Sequence, residues 1–109
     1  MPHLDGDPHW RLARRYGKAP YHSPVDERLV QMLRAIFDDD EAALVACFPL
    51  GAAGPRALAR RCGLELGRVE ALLAAIDRRG AILAFELGAA RRYALLPIVP
   101  GLFELYMCG

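Results

Sequence analysis

The sequence is poor in the residues from which most functional sites are made. It has no Thr and no Asn, one Ser (Ser23), one Gln (Gln31) and one Lys (Lys18). Hydroxyl nucleophiles are nearly absent, and Ser23, followed by Pro24, fits a helix cap better than a nucleophile. The histidines, His3, His9 and His22, all fall in or beside the first 22 residues, and no nucleophile is placed to pair with them. The shortage of Lys, Asn and Gln also bears on nucleic acid, because base edges are read mostly by these residues and Arg. The cysteines, Cys47, Cys62 and Cys108, are odd in number, widely spaced and without a CxxC pair. That argues against a disulfide framework, offers no metal-binding spacing, and fits a reducing, cytoplasmic setting. Long hydrophobic runs are missing too. The longest, Leu95 to Phe103, contains two Pro and is far too short to span a bilayer. The opening MPHLDGDPHW carries two acids and no apolar stretch, so it does not read as a signal peptide. Catalysis, a cofactor or metal held by this chain, and membrane association are therefore not expected.

What is present suits one globular domain: 109 residues, 54% hydrophobic and 25% charged. The net charge of +1 says nothing about nucleic acid. Its distribution is uneven, however. Residues 1–50 hold six basic and eight acidic side chains, whereas residues 51–109 hold eight Arg against five acids, a local net of +3.

Residues 1–22 read as an irregular N-terminal arm, interrupted by Pro2, Gly6, Pro8, Gly17 and Pro20, with room for a short helix over His9 to Tyr16. Trp10, Tyr16 and Tyr21 would pin this arm to the body. Residues 23–96 read as the domain itself. Ser23-Pro24 caps a first helix over 24–37, with Leu29, Val30, Leu33, Ile36 and Phe37 at helical spacing. Asp38 caps a second helix with acids in its first turn, ended by Pro49. The acidic run 38–41 lacks the alternating oxygen ligands and the Gly of a calcium loop.

The most informative stretch is GPRALARRCGLELGRVEALLAAIDRRG, residues 54–80. Pro55 opens a short helix with Leu58, Ala59 and Cys62 on one face, and Gly63 stops it. A second helix, from about Arg68 to Arg79, carries Val69, Leu72, Leu73 and Ile76 on one stripe. Two short helices joined by a tight Gly-containing turn form a helix-turn-helix pattern. Ala81 to Glu86 and Arg91 to Leu96 then read as strands around the turn Leu87-Gly88-Ala89-Ala90, with Ile82, Phe85, Tyr93 and Leu95 supplying apolar contacts. The fold expected is mostly α with a small β-hairpin, an α+β winged helix-turn-helix.

Two sets of residues are candidates for binding. Arg56, Arg60, Arg68, Arg78, Arg91 and Arg92 surround the motif and would contact duplex DNA through its phosphates, with Arg61 and Arg79 nearby. The second helix, though, presents Ala71, Ala74 and Ala75 where base-reading side chains would sit, and Glu70 and Asp77 add negative charge. The other set lies in the apolar segment 97–109, PIVPGLFELYMCG. Chain ends are usually polar and mobile unless tied down. Leu102, Phe103, Leu105, Tyr106 and Met107 would therefore pack on the body, a second copy, a partner or a downstream domain. Cys108 reads as a free thiol or an incidental residue.

The run from about Glu27 to Gly109 resembles the N-terminal winged-helix region of bacterial and archaeal four-iron, four-sulfur (4Fe-4S) ferredoxin-type proteins. The resemblance is carried by RLVQMLRAIF, DDDEAALVACF, LARRCGLELGRVEALLAAIDRRGAI and, most specifically, YALLPIVPGLFELY. In that group the winged helix precedes cysteine-rich cluster motifs, which this sequence lacks. No cluster ligand is therefore carried over, and 4Fe-4S clusters enter only if a longer natural chain continues past Gly109. The resemblance implies a non-catalytic recognition module of an electron-transfer protein, used for protein docking or dimerisation. The alternative is a stand-alone winged-helix transcriptional regulator binding duplex DNA.

Overall fold

The computed structural model describes residues 6–108, so His3 and the first five residues of the expected arm lie outside the described residues. From Asp7 the chain is regular. The Asp7 carboxylate accepts from the backbone N–H groups of His9 (2.8 Å) and Trp10 (3.4 Å) and caps a first helix, α1 (Pro8–Tyr16), with Pro8 in its first turn. His9, Leu12, Ala13 and Tyr16, at i, i+3, i+4 and i+7, form its buried face. The short helix for which the arm had room over His9 to Tyr16 is present, and residues 8–16 are part of the core rather than irregular. Tyr16 and Tyr21 do fasten it. Their hydroxyls donate to the carbonyls of Leu96 (2.6 Å) and Leu95 (3.1 Å). Arg15 donates to the carbonyls of Phe48 (2.9 Å) and Pro49 (3.1 Å). His9 is buried with Nε2 2.7 Å from the Phe37 carbonyl, and its ring also lines a small open cleft with Arg34, Phe37, Asp38, Asp39 and Asp40.

The next helix, α2 (Glu27–Ile36), starts later than Ser23-Pro24 suggested. Asp26 is the cap, its carboxylate accepting from the Leu29 N–H at 3.0 Å. The short α3 (Asp39–Val45) has the expected Asp38 cap and a complete capping box. Glu41 N–H donates to Asp38 (2.8 Å), and Asp38 N–H donates back to Glu41 (2.9 Å). This helix ends before Pro49, at Val45.

The helices α4 (Pro55–Cys62) and α5 (Leu66–Arg78) follow. Gly63 between them holds a φ of 67°, a left-handed value that glycine adopts without steric cost, and this turns the chain from one helix into the other. Leu58 and Ala59 of α4 and Val69, Leu72, Leu73 and Ile76 of α5 are buried. Strands β1 (Ile82–Leu87) and β2 (Ala90–Leu95) pair antiparallel, from Ile82 opposite Leu95 to Leu87 opposite Ala90. The two-residue loop has Gly88 at a φ of 66°, which suits the twist of a tight hairpin. On its other side β2 meets Ala53, which exchanges two 2.9 Å backbone hydrogen bonds with Tyr93.

Ile82, Tyr93 and Leu95 face the core as expected, but Phe85 does not. The register puts it on the opposite face with Leu83 and Leu87, and it is 40% exposed. The chain closes with a π-helical turn (Ile98–Leu102) and α6 (Phe103–Cys108), which packs beside α2.

The result is a mostly helical α+β fold around one core, with a radius of gyration of 13.2 Å, as expected for a packed domain of this length. Among the described residues no helix is long and apolar enough to cross a membrane.

Candidate functional site

The helix pair and hairpin enclose an open cleft of about 1040 Å³. One wall is α4, bearing Arg56, Arg60 and Arg61. The opposite wall is β2, bearing Arg91 and Arg92, and the first turns of α5 contribute Leu66 and Glu70. Four of the six arginines expected to contact nucleic acid, Arg56, Arg60, Arg91 and Arg92, therefore line one cleft, while Arg68 and Arg78 are not among its walls.

The arginines differ in what already occupies them. Arg68 is paired with Asp40 on α3. Arg79 makes a bidentate contact with the buried Glu41, at 2.6 and 3.0 Å. Arg91 is held by Glu86 (2.8 Å), Asp77 (3.0 Å) and the Tyr93 hydroxyl (3.2 Å), an arrangement that raises the guanidinium pKa further above its ordinary value. Arg61 donates to the Cys47 carbonyl at 2.6 Å. Among the described residues, Arg56, Arg60 and Arg78 have no ion-pair or hydrogen-bond partner, and Arg92 makes only a long 3.5 Å contact to the Arg91 carbonyl. The outward face of α5 is Gly67, Arg68, Glu70, Ala71, Ala74 and Arg78, with few groups able to reach base edges.

The apolar candidates divide. Leu102 is fully buried and belongs to the core of this chain. Leu105 is half-buried against it. Phe103, Tyr106 and Met107 are 46%, 43% and 64% exposed, and α6 has no buried residue at all. Leu83, Phe85 and Leu87 form a second exposed apolar strip on the hairpin. The sequence offered the alternation of ILAFEL for this strip but nothing to say which of its faces lay outward.

One pairing was not foreseen. Cys47, just after α3, and Cys62, at the end of α4, have neighbouring thiols. Burial pushes the Cys62 thiol up to about 12, and the nearby Cys47 thiol adds to the effect; the thiols themselves donate to backbone carbonyls, Cys62 to Leu44 (3.7 Å) and Cys47 to Ala43 (3.4 Å). Such a thiol is protonated and unreactive near neutral pH. Both are free, as is the exposed Cys108. Among the described residues no group of three or more His, Cys, Asp or Glu could hold a metal ion. No family model, curated protein or solved structure matches this chain.

Proposed function

We propose that the chain is a winged-helix recognition module that docks onto protein in the cytoplasm, first of all a second copy of itself, and performs no chemistry of its own. The order α4, tight turn, α5, β1, β2 supports the winged-helix reading, as does Ala53, which lies against β2 like the stub of a third strand. The observation that carries docking is α6: Phe103, Tyr106 and Met107, at i, i+3 and i+4, share a face that the described residues leave substantially exposed. The resemblance of YALLPIVPGLFELY to the winged-helix region of 4Fe-4S ferredoxin-type proteins supports the same role, with an electron-transfer protein as the alternative partner. Any cluster would sit on residues other than those of this chain.

Sedimentation equilibrium tests this. The chain is expected to dimerise with rising concentration, and Phe103→Glu to leave it monomeric. A monomer at all concentrations, with no complex when a 4Fe-4S ferredoxin-type protein is added, would overturn the docking role.

One observation favours a second reading, the DNA-binding regulator: Arg56, Arg60, Arg78 and Arg92 lack carboxylate partners among the described residues. That reading expects duplex affinity to fall steeply as salt rises. It draws no support from Arg68 and Arg91, whose charges are already matched within the chain.

A further inference from the structure

We infer that the cleft between α4 and β2 is a binding site for the phosphate groups of a phosphorylated small molecule of nucleotide size. Among the described residues, three arginines without carboxylate partners, Arg56, Arg60 and Arg92, converge there, and Glu70 is the only acid in its walls. Arg91, in the same wall, is matched by Glu86 and Asp77, and outside the cleft Arg28, Arg34, Arg68 and Arg79 meet a carboxylate; among the described residues Arg11, Arg14 and Arg78 are also unmatched, but they stand apart from the cleft. A cluster of unmatched guanidinium groups in a concave site favours an anion, and phosphate suits the planar fork of Arg.

The backbone adds to the charge. The cap of α4 is Gly54, which provides no side-chain acceptor, so the first-turn N–H groups of Arg56 and Ala57 are left without a capping partner. Gly54 also makes room for Arg92: a Cβ there would lie 2.8 Å from its Nη1. The guanidinium of Arg92 thus lies close to the start of α4, and a side chain at residue 54 would push its flexible end aside. The cleft is larger than a lone phosphate requires and lies just above the usual range for small-ligand sites, roughly 300–1,000 Å³. Pro49, Ala53 and Leu66 supply an apolar lining for the remainder of the molecule. This site is independent of the docking face on α6.

The test is calorimetric titration of the full chain with adenosine diphosphate, inorganic pyrophosphate and a short DNA duplex. One equivalent of adenosine diphosphate is expected to bind, more tightly than pyrophosphate, and the duplex is not expected to compete. Arg56→Ala and Arg92→Ala should each weaken binding by about tenfold, as for loss of a charge-assisted hydrogen bond. Gly54→Ala should weaken it while leaving every charge in place, with circular dichroism confirming the fold. Arg78→Ala removes an unmatched arginine outside the cleft and should change nothing. The inference is overturned if neither phosphate compound saturates, if Arg78→Ala weakens binding as much as Arg56→Ala, or if the duplex alone binds and does so through Arg56 and Arg92.

Discussion

The first and last helices of the described chain make an instructive pair. α1 comes from a segment broken by prolines and glycines, yet Leu12, Ala13 and Tyr16 are completely buried. α6 comes from one of the most apolar segments in the sequence, yet none of its residues is buried. What separates them is attachment. α1 reaches distant backbone through Arg15, Tyr16 and His9, and its four inward residues follow a single helical stripe. α6 is one and a half turns long, and its apolar residues are divided between an inward Leu105 and an outward Phe103, Tyr106 and Met107. Apolar content alone does not place a segment inside; spacing and specific polar ties do.

Substitutions should widen this contrast. The largest effect is expected from Leu12→Ala, at about 2–5 kcal/mol of unfolding free energy, because the site is fully enclosed. Met107→Ala should stay within roughly 0.5 kcal/mol in the monomer. Urea denaturation of both variants checks the pair, and similar losses would contradict the assignment of α1 to the core and α6 to the surface. Tyr16→Phe is intermediate. It leaves the Leu96 carbonyl without its donor and should cost about 1 kcal/mol.

The smallest effect is electrostatic and lies at the caps of α1 and α2. Burial of Asp7 opposes its ionisation, but the His9 and Trp10 N–H groups and the Arg34 guanidinium outweigh this and hold its carboxyl below the ordinary value. Asp26 is lowered chiefly by the Leu29 N–H. A depressed carboxylate stabilises the fold at pH values above its unfolded value, near 3.9, and that contribution disappears as pH falls through the folded value. Thermal midpoints measured from about pH 6 to pH 3 should therefore fall, and Asp7→Asn should shrink the drop.

Much of the middle of the chain was legible. Pro55 and Gly63 mark α4, Asp38 with Glu41 marks the start of α3, and Gly88 marks the hairpin, because each acts on its own few residues. Asp7-Pro8 carried the same kind of signal for α1, but the neighbouring glycines and prolines outweighed it. Asp26 displaced Ser23 as the cap of α2 because both are competent acceptors and only the path of the chain chooses between them. The candidate site was legible only in part. The cluster of arginines could be read, but their occupation could not. The partners of Arg68 and Arg91, Asp40 and Asp77, lie 28 and 14 residues away and meet them only after the helices pack. The neighbouring thiols of Cys47 and Cys62 depend on the same packing.

Glu41 joins two events that are usually separate. Its carboxylate completes the capping box of α3 and also grips Arg79, 38 residues further along, just past the end of α5. A helix of seven residues has little persistence by itself. Releasing Arg79 leaves a buried carboxylate unmatched at the point where α3 begins, so detachment of α5 also loosens the start of α3. The two helices should therefore open as one cooperative unit, their amide protons exchanging with solvent on a common timescale, although α4 separates them in the sequence.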